Sequence, residues 1–275
     1  MELEVLVATM QQTDLSLAQK MNLCQNAVIA NQCGQWRYEQ SQSEYGRLRM
    51  LSSDTKGVGI NRNLALQLAQ ADILLFADDD VTYYDGTLQG VIDTFRELPD
   101  ADVIFFGMDM TRNGEVFEQR RNPIKRLHLW NCLRFGAARM AVRRQALEKK
   151  RLSFTTLFGG GCPYCSGEDT LFILDAIRAG LHIYSHSYVL GKCAKDSSSW
   201  FSGYNEKYFY DWGAVIACGF PKSKGLMKWY FALKLSKKSK VPLKSVLAQM
   251  NQGMKGFRYL HPYGEQTPKK EGSKG

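Results

Sequence analysis

Ile73-Leu74-Leu75-Phe76-Ala77-Asp78-Asp79-Asp80 is an apolar run that stops at three consecutive carboxylates. Asp72 bounds it on the other side. A short run that is apolar throughout and bounded by acids reads as a strand buried on both faces, as in parallel sheets. Three adjacent acids repel one another unless a cation or a donor-rich ligand offsets them. Open α/β sheets bind their ligands at the carboxyl ends of the strands. Carboxylate oxygens at such a place suit Mg²⁺ or Mn²⁺, which are commonly shared with substrate phosphates. A solvated acidic turn is the alternative that this stretch alone leaves open.

Working outward, the segments before the acids alternate in character. Leu3 to Ala8 reads as a strand, Asp14 to Gln25 as a helix, and Asn26 to Asn31 as a second strand. Cys33 to Tyr45 is polar and reads as irregular, Arg47 to Ser52 as a third strand, and Asn61 to Ala71 as a helix with Leu64, Ala65 and Leu68 on one face. This order is that of a parallel α/β sheet. Beyond the acids, Thr87 to Leu98 reads as an amphipathic helix and Ala101 to Gly107 as a buried strand. Asn113-Gly114 signals a hairpin. Phe135 to Val142 reads as a strand, Arg143 to Lys150 and Glu168 to Ala179 as helices, and Leu181 to Leu190 as a strand.

With 275 residues, 44% of them hydrophobic and 23% charged, the chain can bury a sizeable core. Its start, Met1-Glu2-Leu3-Glu4, is acidic and does not read as a secretory leader. No apolar stretch is long enough to span a bilayer. Seven cysteines without a framework suggest a reducing cytoplasm. The net charge of +9 is unevenly placed: from Lys222 onward 13 Lys+Arg face 2 Asp+Glu, a net +11, which leaves −2 for the body. The basic segment therefore points to an anionic partner, a membrane surface or a nucleic acid, and no nucleic-acid reading motif accompanies it.

Three further constellations carry chemistry. Gly57-Val58-Gly59-Ile60-Asn61-Arg62-Asn63 is a glycine loop leading into a helix, which can cradle phosphate, and Arg62 adds a charged donor. It is not a Walker loop and lacks the full dinucleotide fingerprint. Gly167-Glu168-Asp169 opens a helix, where acids complement the macrodipole and can also supply a general base. Cys162-Pro163-Tyr164-Cys165 matches a redox motif but stands in mid-chain, so it reads as a loop shaping an acceptor site.

Taken in order, Gly57-x-Gly59-x-x-Arg62-Asn63, Asp78-Asp79-Asp80 and Gly167-Glu168-Asp169 resemble the family 2 glycosyltransferases of the GT-A fold, especially bacterial enzymes of surface-polysaccharide (capsule) assembly. The resemblance covers about residues 1–190. It implies a Rossmann-like, mostly parallel sheet flanked by helices. It also implies inverting transfer of a sugar from a nucleotide-diphosphate donor, with UDP the expected nucleotide and Mn²⁺ or Mg²⁺ the cofactor. Carried over by position, Asp80 would hold the metal, with His186 as a second ligand. Asp78 and Asp79 would hold the donor, Thr9 and Asn31 would border its base, and Gly57 and Arg62 would face the base or diphosphate. Asp169 would be the general base, with Glu168 beside it. Many relatives carry Asp-x-x-Ser-x-Asp after the second strand; Asn31-Gln32-Cys33-Gly34 stands there in this chain.

The expected organisation is a GT-A domain over 1–220, a basic amphipathic helical segment over 221–260 and a disordered tail over 261–275. The expected partners are the nucleotide-diphosphate sugar, a glycan or lipid-linked acceptor and an anionic membrane surface, with no nucleic acid. The expected location is cytoplasmic, peripheral at the inner face of the membrane. A sugar-nucleotidyltransferase and a non-catalytic sugar-nucleotide-binding protein are the alternatives. The first should carry a glycine-rich basic loop near the N-terminus, and Ala8–Thr13 contains neither Gly nor Lys nor Arg.

Overall fold

The computed structural model describes residues 1–43, 46–129, 131–195 and 203–258; the expected disordered tail lies outside them. The chain divides into two compact units, Met1–Thr156 with Glu168–Ser199, and Leu157–Gly167 with Trp200–Gly275. The sequence reading drew its boundary at residue 220, where basic residues begin to dominate. Contacts draw it after Ser199 and assign the loop 157–167 to the second unit, a long-range grouping that composition does not carry.

The first unit runs β1 (Leu3–Met10), α1 (Leu17–Lys20), β2 (Asn26–Gln32), β3 (Arg37–Ser43), β4 (Gly46–Ser53), α2 (Val58–Leu68), β5 (Ile73–Asp78), β6 (Val81–Tyr83) and α3 (Thr87–Glu97). It continues with β7 (Val103–Arg112), β8 (Glu115–Arg120), β9 (Lys125–Arg126), a 3₁₀ turn (Ala137–Arg139), β10 (Met140–Arg143), α4 (Arg144–Lys150), α5 (Glu168–Arg178) and β11 (Ile183–Ala194). The sheet order is β3-β4-β2-β1-β5-β10-β7-β11-β6, with β8 on β7 and β9 on β11. Strands β4-β2-β1-β5 are parallel, and so are β7 and β11; β10 enters antiparallel between β5 and β7.

Alternation along the strands builds two apolar layers. Ile73, Leu75 and Ala77 of β5 face one core with Leu17 of α1 and Leu88, Val91 and Phe95 of α3. Leu74 and Phe76 face the other with Ala65 of α2, Leu147 of α4 and Phe172 and Ile173 of α5. Sheet sides covered by helices on both faces are the reason the strands read as unbroken apolar runs. This three-layer α/β arrangement is the GT-A architecture.

Four local readings are corrected. The helix over Asp14–Gln25 shrinks to one turn, because Asn22 takes a left-handed φ of 55° and ends it. The polar stretch Cys33–Tyr45 contains β3, an edge strand paired antiparallel with β4; largely exposed, it carries no apolar alternation to read. Lys125–Arg126, where the sequence gives no strand signal, forms the two-residue β9. The strand over Phe135–Val142 is shortened to Met140–Arg143, and the 3₁₀ turn takes up the preceding residues.

The second unit contains α6 (Glu206–Gly219), α7 (Lys224–Ser239) and α8 (Leu243–Arg258). Asn205 caps α6, its side chain accepting from the backbone N–H of Tyr208. Helices α6 and α8 approach closely because two glycines face backbone: a Cβ on Gly213 would stand 2.2 Å from the Met250 carbonyl oxygen, and one on Gly253 would overlap that of Tyr210. Phe158 stacks on Tyr164 at 4.8 Å, and Phe257 closes the cluster. Asp211 is fully buried and accepts from the Cys165 N–H at 2.9 Å, the Cys165 thiol at 2.8 Å and Lys207 at 2.7 Å. Among the described residues, no helix is long and apolar enough to cross a membrane.

Candidate active site

Register places one polar row along the carboxyl ends of the parallel strands. Ser52 pairs with Asn31, Asn31 with Thr9, and Ala8 with Asp78, so Thr9 stands beside the acids. The Asn31 amide donates to Ser52 Oγ at 3.0 Å and to the Gln12 carbonyl at 2.8 Å. Thr9 donates to Asp79 Oδ2 at 2.5 Å. Asn61, in the first turns of α2, donates to the carbonyls of Thr9 and Ala30, closing the gap between β1 and β2. Thr9, Asn31 and Asp79 are thus gathered at the carboxyl end of the central strands.

The two glycines before Arg62 act differently from each other. Gly57 begins α2 with a φ of 118°, a conformation other residues rarely adopt, and its carbonyl accepts from Gln32 at 3.0 Å. Gly59 is needed for packing: a Cβ there would stand 2.1 Å from the Thr155 carbonyl oxygen. Asn63 holds the same segment by two hydrogen bonds of 2.8 Å to the Phe154 backbone.

Arg62 is buried, and three carboxylates converge on it. One terminal nitrogen donates to Asp78 Oδ1 at 2.9 Å. The other donates to Asp169 Oδ1 at 2.7 Å and to Glu168 Oε1 at 3.3 Å. The guanidinium carbon lies 5.3 Å from the Phe154 ring centroid. Burial opposes its charge, but Asp169, Asp78 and Glu168 together outweigh that and raise its pKa further. The structure therefore joins the acids of β5 to the acids that open α5. Burial, and then the Asp169 charge, pushes the Glu168 carboxyl up to about 7 against the pull of Arg62. Gly136 leaves room for the Asp169 carboxylate, since a Cβ there would meet Asp169 Oδ2 at 3.1 Å.

Asp80 suits a cation. Its Oδ1 is buried with no hydrogen-bond partner, and its Oδ2 lies 3.6 Å from Lys195 Nζ. Burial, followed by the Asp78 charge, raises its pKa, a bias that a bound divalent ion would reverse. No group of three or more His, Cys, Asp or Glu among the described residues could hold a metal. A metal at Asp80 would draw on substrate phosphate and water among its ligands, a common arrangement for Mg²⁺.

His186 is not brought to this place. On β7, the partner of Ser185 is Phe105 and that of Ala194 is Thr111, six residues further on, which separates His186 from the Asp80 end by about 20 Å. Its ring packs against Phe106, and Nδ1 accepts from the Tyr188 N–H at 3.1 Å. Lys195, Gly136 and Asn61 are the site residues that sequence reasoning missed. Asn61 lay inside the quoted glycine stretch, where its position next to Arg62 was the available signal. Lys195 and Gly136 reach the site through strand register and loop packing, which leave no mark in the sequence.

Residues 33–159 match the model described as glycosyl transferase family 2. No curated protein matches the chain. Among solved structures, S. aureus TarS 1–349 in complex with UDP-GlcNAc is similar at a TM-score of 0.59 and 16% identity, over 96% of this chain and 93% of that one. The complex of the same S. aureus protein with UDP gives 0.59 and 16% over 97% and 94%. The longer S. aureus TarS gives 0.58 and 17% over 86% of this chain and 43% of that one. At these identities the likeness is one of fold.

Proposed function

From the match over residues 33–159 and the site geometry we propose that the chain is a family 2 glycosyltransferase, which transfers a sugar from a UDP-sugar, with inversion, to a hydroxyl of a glycan or lipid-linked acceptor. The observation that carries this reading is the single buried guanidinium of Arg62, which ties Asp78 at the end of β5 to Asp169 at the start of α5. Donor-holding and proton-accepting acids are thereby parts of one site. UDP is favoured because S. aureus TarS 1–349, which shares the fold, has been solved with UDP-GlcNAc and with UDP.

Asp169 takes the proton from the acceptor hydroxyl, whose oxygen then attacks the anomeric carbon as the bond to the diphosphate breaks. Arg62 orients Asp169 and Asp78 together. Asp78 engages Arg62 through Oδ1, leaving Oδ2 for donor hydroxyls. Asp80 would hold Mn²⁺ or Mg²⁺, which supplies neutralisation of the departing diphosphate. The enzyme would serve bacterial surface-polysaccharide (capsule) synthesis.

The basic helices give the reading a location. On α7, Leu226, Trp229, Tyr230 and Leu233 are each at least half exposed, at helical spacing, amid Lys224, Lys228, Lys234, Lys237 and Lys238. Apolar anchors among lysines suit an anionic lipid surface, such as the inner face of a bacterial cytoplasmic membrane. Donor hydrolysis measured across UDP-, GDP- and dTDP-sugars, with and without Mn²⁺, tests the whole proposal. UDP-sugar turnover is expected; binding without turnover of any donor would favour a non-catalytic sugar-nucleotide-binding protein. Asp169→Asn should abolish transfer and leave UDP affinity within about twofold, since Asp169 acts on the acceptor hydroxyl and not on the nucleotide; a mutant that keeps most of its transfer rate removes the base assignment.

A further inference from the structure

The Cys162-Pro163-Tyr164-Cys165 stretch takes no part in the proposed chemistry, yet Ser166 and Gly167 alone separate it from Glu168 and Asp169. In the second unit this loop is laid against one stripe of α6. Lys207 donates to the Pro163 carbonyl at 3.1 Å. Asp211 accepts from the Cys165 N–H at 2.9 Å and from its thiol at 2.8 Å. Val215 meets Gly167, where a Cβ would stand 2.3 Å from Val215 Cγ2.

Every second residue of the loop therefore meets every fourth residue of the helix. Lys207, Asp211 and Val215 share one face of α6 because they follow one another at that spacing. Four helical residues rise about 6 Å, a span that two residues of loop can cover. Tyr164, between Pro163 and Cys165, stacks instead on Phe158. The loop thus follows α6 in the same direction and in one register, and its next residues are the first turn of α5.

Asp211 sits at the middle of this row. It is fully buried and pairs with Lys207 at 2.7 Å, while its Oδ1 has no hydrogen-bond partner among the described residues. Burial, then the hydrogen bond to Asp211, holds the Cys165 thiol up at about 12, so it remains a donor at neutral pH. A buried ion pair adds little net stability over an apolar pair of the same shape. What it adds is direction, because its donors must meet one oxygen. An apolar helix face alone would let the loop slide along it; Asp211 holds the loop at Cys165.

We propose that Asp211 is a positioning residue for the reaction: through Cys165 it fixes the backbone that enters α5, and so the place at which Asp169 receives the acceptor proton. This role rests on the reading of Asp169 as general base; the clamp on the loop does not. A displacement of about 1 Å can cost about a hundredfold in rate, so a contact made four residues before the base is close enough to matter.

The test compares the full chain with Asp211→Asn, Cys165→Ala and Cys165→Ser, folding being checked by circular dichroism. Three quantities are read: hydrogen exchange of the Phe172 and Ile173 amides, which bond back to the first turn of α5; hydrolysis of UDP-GlcNAc and UDP-glucose; and UDP affinity by calorimetry. Asp211→Asn and Cys165→Ala should speed the exchange at least about tenfold, lower kcat about ten- to a hundredfold and leave UDP affinity within about twofold. Cys165→Ser returns a donor to Asp211 and should recover most of the rate. A folded Asp211→Asn protein with wild-type exchange and kcat overturns the proposal. In an active enzyme, a change in exchange without one in kcat, or the reverse, overturns it as well. So does a rate loss that Cys165→Ser fails to relieve, or one that comes with weakened UDP binding and faster exchange throughout the chain, the mark of a merely structural role. A wild type that hydrolyses neither sugar sinks the transferase reading, and faster exchange in the variants would still support the clamp. Should Asp211→Asn not fold, the two Cys165 variants carry the test with the same outcomes.

Discussion

Replacing Arg62 by methionine keeps most of the side-chain volume and removes the one cation that Asp78, Glu168 and Asp169 share. Breaking a buried ion pair from one side costs about 3–5 kcal/mol. Here the side chains of Asp78 and Asp169 remain 39% and 27% exposed, so water screens part of the loss. The expected destabilisation at pH 7.5 is therefore nearer 2–3 kcal/mol, about 4–12 °C in Tm for a chain of this size. The sign of its pH dependence follows from proton linkage. The Glu168 carboxyl has a folded pKa raised above its unfolded one, and replacing Arg62 removes the charge that pulls it down. Such groups stabilise the fold below the unfolded pKa, and that stability is lost as pH rises through the folded pKa. Glu168 already sits at about 7 with Arg62 present, against an ordinary value of 4.5, so the window lies between these pH values and above. The penalty in Arg62→Met should thus shrink at pH 5 relative to pH 7.5. Thermal unfolding of both proteins at the two pH values measures it. A melting point within about 1 °C of wild type at pH 7.5, or a penalty equal at both pH values, would refute the claim that Arg62 balances this acid cluster.

Three further outcomes follow from particular contacts. Gly59→Ala places a Cβ 2.1 Å from a backbone oxygen that cannot rotate away, so urea unfolding should show a loss of about 1–3 kcal/mol; an unchanged midpoint would contradict the packing described for that glycine. Burial and the Asp211 carboxylate hold the Cys165 thiol up at about 12, so at pH 8 iodoacetamide should label exposed Cys24 well before Cys165. Peptide mass spectrometry reads the order, and equal rates would count against the Asp211 contact. Trp229→Ser combined with Leu233→Ser should weaken co-sedimentation with phosphatidylserine vesicles at least about tenfold, the worth of two apolar side chains leaving lipid; undiminished sedimentation would exclude the outer face of α7 as the membrane contact.

What the sequence determined by itself is the α/β layering and the carboxyl-end location of the acids. Strands covered on both faces must be apolar at every position, so β5 is legible as a run and its end as a sudden change to aspartate. Helix α5 was legible from its length and apolar residues, and the structure ends it at Gly180, whose φ of 84° is left-handed. The long-range partnerships were not legible. Arg62 and Asp169 are 107 residues apart, and β10 runs antiparallel where alternating strands and helices suggested a parallel neighbour. Edge strand β3 escaped because an exposed strand has no core to print a pattern on it. His186 and Lys195 reverse their apparent importance for one reason. His186 lies early in β11 and Lys195 directly follows its end, so register along β7 sets one far from Asp80 and brings the other to it. Local chemistry selects which residues can react. Strand register, set by the packing of whole faces, decides which of them meet.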